Sequence, residues 1–228
     1  CSGKTPFNDT STPTPTPTNP MGKVCKSFYS NTFQLTSGFD NTPKTSPAKP
    51  LKGQEITDPA YNTCIVKLTD HKNEAPNGYS KNDYSRRQAY NADNSLFVTI
   101  SQDGYWHLYD ANTLDYIKKL SGPAGDAAVQ WHPTNPDLLV YTGNNGGMRI
   151  SELNVKSNTS SVAGDFAGRL PWWPTAARVW TRSEGSPLAD VRYWGFLVET
   201  SSFNPLGLLV WDKELDEIVV SWDFAENS

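Results

Sequence analysis

Gln88-Ala89-Tyr90-Asn91-Ala92-Asp93-Asn94-Ser95-Leu96-Phe97-Val98 is echoed, forty-two residues on, by Gln130-Trp131-His132-Pro133-Thr134-Asn135-Pro136-Asp137-Leu138-Leu139-Val140. Each stretch is a polar turn that runs into an apolar strand. The match continues outward. Asp103-Gly104 and Asn145-Gly146 are hairpin turns of the kind that need positive φ. A strand follows each of them, over 106–110 and 148–154. A third copy starts near Ser186-Pro187-Leu188-Ala189-Asp190 and runs through Tyr193–Val198 and Leu208–Asp212. Tyr109-Asp110 and Trp211-Asp212 end matching strands. The last strands of the copies fall at 116–120, 160–162 and 218–222. No sustained helical period interrupts them, and the strands are rich in Val, Leu, Tyr and Trp between Gly, Asn, Asp and Pro.

A repeat of about 40–45 residues with four strands is the signature of a propeller blade. The fold expected is therefore all-β, a β-propeller of four-stranded blades. Residues 58–228 hold about four such units, three alignable and one partial at Thr63–Leu68. The blades are expected to belong to a longer propeller; a very small closed ring or pairing with a second chain are the alternatives. Such blades bury their faces only against neighbours. Most of the eight Trp are accordingly expected between blades.

Composition limits the function classes. Twenty Lys and Arg against 24 Asp and Glu leave a net charge of −4, which gives no footprint for nucleic acid. Apolar content is low at 36%, yet 12% aromatics argue for a packed core rather than disorder. No apolar run reaches the ~20 residues of a membrane-spanning helix. Three His and three Cys nearly exclude a His- or Cys-rich metal cluster. No cofactor is expected, although calcium could sit at the acidic turns near Asp103 or Asp212.

The chain opens Cys1-Ser2, which resembles a mature bacterial lipoprotein carrying its lipid on the first Cys. That implies an extracytoplasmic protein, held at a membrane by the lipid alone. Residues 1–21 then read as a tether, with Thr12-Pro13-Thr14-Pro15-Thr16-Pro17-Thr18 favouring extended polyproline II. Residues 22–57 read as an irregular lead-in and 58–228 as the blades. Cys25 and Cys64 either pair in an oxidising compartment or stay buried thiols.

In a propeller the first strand of each blade lines the channel. Those strands are expected over 83–90, 125–132 and 178–186. Alternation places Arg86 and Gln88 on one face, Arg87 on the other, and Arg178, Arg182 and Glu184 together. Converging guanidinium groups suit carboxylates or sulfates. Equally, they suit internal pairing with Asp83, Asp126 or Glu184. His132, in Trp131-His132-Pro133, reads first as a structural turn residue. Alternation puts His107 on a solvated face. His71 lies in a loop within reach of the channel mouth.

Asn82-Asp83-Tyr84-Ser85-Arg86-Arg87-Gln88-Ala89-Tyr90-Asn91-Ala92-Asp93-Asn94-Ser95, with Trp131-His132-Pro133-Thr134-Asn135-Pro136, resembles the N-terminal half of secreted bacterial seven-bladed propellers. These include lipoproteins and are similar in plan to ulvan lyase and oligogalacturonate lyase. The resemblance implies an anionic, uronate-containing polysaccharide as partner and β-elimination as chemistry. One group neutralises the uronate carboxylate, and a base removes the C5 proton. Arg86 or Arg87 suits the first role, with Gln88, Arg178 and Arg182 as further substrate contacts. His132, His71 and Tyr84 are the candidates for the second. The lyases' catalytic His pair and metal-binding His cluster find no match here, so a non-catalytic binding propeller stands as the alternative.

Overall fold

The structure is a computed structural model describing residues 25, 29, 31–35, 37–41, 43–74, 78–85, 87–182 and 185–226. Cys1, the tether, Arg86 and Glu184 lie outside the described residues. The described residues contain strands and turns and no helix.

Three four-stranded antiparallel sheets follow one another along the chain. Blade 1 is β3 (Ser80–Lys81), β4 (Leu96–Ser101), β5 (Tyr105–Asp110) and β6 (Tyr116–Ala124). Blade 2 is β7 (Gln130–Trp131), β8 (Leu138–Thr142), β9 (Arg149–Asn154) and β10 (Thr159–Asp165). Blade 3 is β11 (Ala176–Trp180), β12 (Tyr193–Thr200), β13 (Pro205–Asp212) and β14 (Glu217–Asp223). Each is a simple meander. A two-stranded sheet, β1 (Glu55–Thr57) with β2 (Cys64–Val66), precedes them.

The repeat is written most plainly in its turns. Between the first and second strands, the side chains of Asp93, Asn135 and Asp190 each accept a hydrogen bond from the N–H two residues on. Between the third and fourth strands, Asp110, Asn154 and Asp212 each accept the N–H groups two and three residues on. Four residues after each of these, Leu114, Asn158 and Asp216 take positive φ. Short polar side chains that bond their own backbone make such turns favourable. The β1–β2 hairpin repeats the same turn: Asp58 accepts the N–H of Ala60 and Tyr61, and Asn62 has a φ of 52°. This hairpin therefore carries the same turn as the third-to-fourth-strand connection of the three blades.

Packing is face to face. One apolar cluster joins blade 1 to blade 2, with Val98, Trp106 and Leu108 against Leu139, Tyr141 and Leu153. Another joins blade 2 to blade 3, with Val140, Ile150 and Phe166 against Trp194, Phe196, Leu209 and Trp211. A third sets Phe97, Tyr109 and Leu114 against Val66 and Leu68. Six of the eight Trp are buried, Trp172 and Trp222 being the exposed pair. Contacts are close: a Cβ at Gly207 would stand 2.2 Å from the Trp173 ring and 2.3 Å from a backbone oxygen. Cys25 and Cys64 form a disulfide across a sequence separation of 39. Closing a loop of that size restrains the unfolded chain by about 4 kcal/mol in the chain-entropy picture.

Two expectations are corrected. Asp83, Tyr84, Ser85, Arg87 and Gln88 are not strand. From the Lys81↔Ile100 pair to the Tyr90↔Phe97 bridge the inner strand runs nine residues while β4 runs three. The excess leaves the ladder as a loop, so alternation does not apply to Arg87 and Gln88. Likewise β11 ends at Trp180, and Arg182 has a φ of 47°. His107 is not solvated either. It is 1% exposed, with Nε2 3.1 Å from Asp103 Oδ1 and Nδ1 3.2 Å from Tyr116 Oη.

Asp212 offers a test of the turn chemistry. Its Oδ2 accepts Arg192 Nε at 2.9 Å and Nη2 at 2.7 Å. Those bonds hold its carboxyl below the usual range. A lowered native value means stabilisation that is complete above the unfolded value of ~3.9 and lost as pH falls through the native value. Asp212→Asn keeps the turn acceptor, as Asn154 does in blade 2, and loses the ion pair. Its denaturation midpoint should fall below the parent's at neutral pH and meet it in acid. A constant difference across both conditions would refute this account.

Candidate functional site

A cavity of about 390 Å³ opens where three blades meet. Its walls come from residues 87–94 of blade 1, 129–133 of blade 2 and 185–189 before β12. All are inner-strand ends or first-to-second-strand loops. The three loops gather because face-to-face stacking brings equivalent ends of successive sheets together.

Hydrogen bonds between blades fix the walls. Arg87 Nη1 donates to Val129 O at 2.7 Å, and its Nε lies 3.1 Å from Asp83 Oδ2. Trp131 Nε1 donates to Ala89 O at 2.8 Å. Gln130 donates to Gly185 O. Buried Asn91 donates to Pro136 O at 3.0 Å and accepts the Leu96 N–H at 3.0 Å. Burial raises the Asp83 carboxyl above its usual range; Arg87 and Lys81 oppose the shift and Asp126 adds to it.

His132 is held by its own turn. Nδ1 accepts the N–H of Asn135 at 3.1 Å and of Thr134 at 3.3 Å. A nitrogen facing two N–H donors must carry a lone pair, so the proton of the neutral ring sits on Nε2. Burial and neighbouring Lys213 push the ring below the ordinary histidine value, with Glu152 opposing them.

Of the residues expected from sequence, the cavity brings together Arg87, Gln88 and His132. Tyr84 is exposed on the loop outside the ladder, and its carbonyl accepts the Arg87 N–H. His71 lies in the turn after β2, among residues that hold Lys52 and Glu74 together. Neither lines the cavity. Arg178 Nε donates to Asn145 O at 2.8 Å, and its guanidinium stacks 3.7 Å over Phe203. Arg182 pairs at 3.1 Å with Glu199, a fully buried carboxylate that also accepts Trp180 Nε1 at 2.7 Å. Sequence reasoning missed Trp131, Tyr90, Asn91 and Gln130 as cavity residues. The quoted repeat contained all four, at the boundary of its turns.

Among the described residues, no group of three or more His, Cys, Asp and Glu is gathered as a metal site would require. Asp103 is taken up by His107 and Lys119, and Asp212 by Arg192.

No protein-family model and no curated protein matches the chain. Solved structures do. One is an oligogalacturonate lyase from Vibrio parahaemolyticus, 12% identical, covering 73% of this chain at a TM-score of 0.49. Another is an oligogalacturonate lyase in complex with manganese, 13% identical, covering 74% of this chain at a TM-score of 0.53. The chain spans 46% of the length of each. The sheets and the second likeness together define a propeller-like all-β fold.

Arg87 tests what the walls depend on. Arg87→Ala removes two links between loop, inner strand and neighbouring blade, and leaves the Asp83 carboxylate half-buried without its guanidinium. The expected loss is about 1–3 kcal/mol in chemical denaturation. An unchanged midpoint would free Arg87 from a structural role.

Proposed function

We propose that the chain acts on an anionic, uronate-containing polysaccharide, held in the three-blade cavity outside the cytoplasm. The observation that carries this reading is the convergence of Arg87, Gln88 and His132 on one cavity that Trp131 and Tyr90 also line. Aromatic faces suit the apolar side of a sugar ring, and the polar groups suit its hydroxyl and carboxylate oxygens. The volume lies within the range of small-ligand sites. The Cys25–Cys64 disulfide supports an oxidising, extracytoplasmic location, with a lipid on Cys1 as the membrane tether.

Lyase-like β-elimination is the chemistry proposed, by analogy of fold to oligogalacturonate lyase. Arg87 would balance the uronate carboxylate, which makes the C5 proton more acidic. His132, Tyr84 or His71 would take that proton, the C4–O bond to the leaving sugar would break as the C4–C5 double bond forms, and the leaving oxygen would take up a proton from water; of the three candidate bases only His132 lines the cavity. A second reading, a binding propeller without catalysis, is favoured by the His132 ring. Its lone pair already accepts two backbone N–H groups. Incubation with a panel of uronic-acid polysaccharides separates the two. Ultraviolet absorbance from an unsaturated uronate product, lost in Arg87→Ala that remains folded, supports elimination. Saturable binding without product supports the second reading. Neither signal from folded protein would discard the uronate ligand.

We also propose that the stack of sheets continues, as in a longer propeller. Two features support it. The β1–β2 hairpin carries the third-to-fourth-strand turn of the blades, and the outer face of blade 3 is apolar. On that face Leu208 pairs with Trp222 and Val210 with Val220; Leu208, Val220 and Trp222 are 47%, 52% and 53% exposed. The chain alone should then self-associate in sedimentation velocity, and Val220→Lys with Trp222→Lys should return it to monomer. A parent chain that is already monomeric would rule out docking by this face.

A further inference from the structure

We infer that His132 serves the cavity as a permanently neutral hydrogen-bond donor, which selects a ligand by an acceptor oxygen placed at Nε2. The inference rests on the cavity being the ligand site proposed above, takes the place of His132 as a base there, and assigns that site its specificity-determining residue.

The turn decides the chemistry of the ring. With the Thr134 and Asn135 N–H groups both donating to Nδ1, a proton there would face two donors, and the acceptor beside it would be the Thr134 hydroxyl oxygen at a long 3.4 Å. Protonation to the cation and the Nδ1–H tautomer are both disfavoured for that reason. Nε2–H remains, with no protein partner among the described residues. The half-buried ring lines the cavity, and the partner this inference assigns to that N–H is a ligand oxygen. An acceptor oxygen is rewarded there, whereas a donor group would meet another donor.

The charged groups around the ring leave this state undisturbed. Lys213, after β13, and Glu152, on β9, face it and pair with each other. On its own loop, Asp137 pairs with Lys156 at 2.8 Å. Across the cavity, Arg87 pairs with Asp83. Each carboxylate has a cation of its own. Glu152 alone favours the cation, and burial together with Lys213 outweighs it, so the ring stays neutral as the pH falls through the usual histidine range near ~6.5.

His132→Asn isolates the donor from the turn. An Asn side-chain oxygen accepts N–H groups two and three residues on, as Asn154 does in blade 2. The turn therefore keeps its acceptor, and the donor at the Nε2 position is lost. Two measurements decide the matter. The first is nitrogen-15 NMR of the imidazole in the ligand-free protein. The expected result is an unprotonated Nδ1 and a protonated Nε2 from pH 8 to about 5. The second is calorimetric binding of a galacturonate oligosaccharide to parent and variant. The variant should melt with the parent and bind about tenfold more weakly, the size of one hydrogen bond. A ring that titrates near ~6.5, or carries its proton on Nδ1, overturns the inference. Equal binding by the variant overturns it as well. If the parent itself fails to bind while the NMR shows the locked tautomer, the uronate reading falls and takes the donor's ligand with it. If the parent binds and the NMR fails, only the donor falls.

Discussion

Burial of one sheet face against the next is the constraint on which everything else rests. A four-stranded blade has two apolar faces and no helix to cover either. Blade 3 turns Trp194, Phe196, Leu209 and Trp211 onto blade 2, and Phe166 meets the Trp211 ring edge-on at 5.6 Å. Side chains of this size bury ~150–250 Å² each, or about 4–6 kcal/mol at ~25 cal/mol per Å² before entropy is counted. Nothing in the turns approaches that. The turns instead decide register. Asp110, Asn154 and Asp212 fix where each third strand ends, and so which residues the stack buries.

Stacking also explains where the cavity lies. Inner strands are short, and the connection leaving each of them is polar. When sheets pack in series, these connections come side by side at one end. Gaps between them are lined by whatever the loops carry, here Tyr90, Trp131 and His132. The excursion at 82–88 adds Arg87, which then reaches across to blade 2. The disulfide plays a comparable part at the other side of blade 1, where it ties the lead-in to β2.

The second, third and fourth strands were legible because their apolar residues sit between turns that demand Asn, Asp or Gly. Inner strands were not. Their hydrogen-bonded runs are as short as Ser80–Lys81 and Gln130–Trp131, and polar side chains continue past them without a break. Alternation misplaced His107 for a related reason: in a blade packed on both sides, neither face is solvent. The partial repeat at Thr63–Leu68 was visible from Ile65 and Val66. Its partner Glu55–Thr57 is mostly polar, and only Asp58 with Asn62 marks the hairpin. At the site, Gln88, Arg87 and His132 were found by residue type. Their meeting followed from loop position, not from the strand face on which they were sought.

The arginines show how far charge can carry recognition here. Arg87, Arg169, Arg182 and Arg192 each hold an Asp or Glu, and Arg178 holds two carbonyls while stacking on Phe203. Asp216 shows the same economy, accepting both Arg169 and Trp211 Nε1. A guanidinium already balanced by a carboxylate projects little net field. Attraction of an anionic ligand over long range is therefore weak, which agrees with the overall charge of −4. Discrimination of the proposed ligand would then act at contact distance, through stacking on Trp131 and Tyr90 and through neutral donors such as His132. Interactions of that kind depend on geometry more than on ionic strength. The rigidity conferred by the blade-to-blade hydrogen bonds is then the property that the proposed recognition would require, because a donor whose direction is fixed by its own turn can reject a ligand oxygen that is out of place.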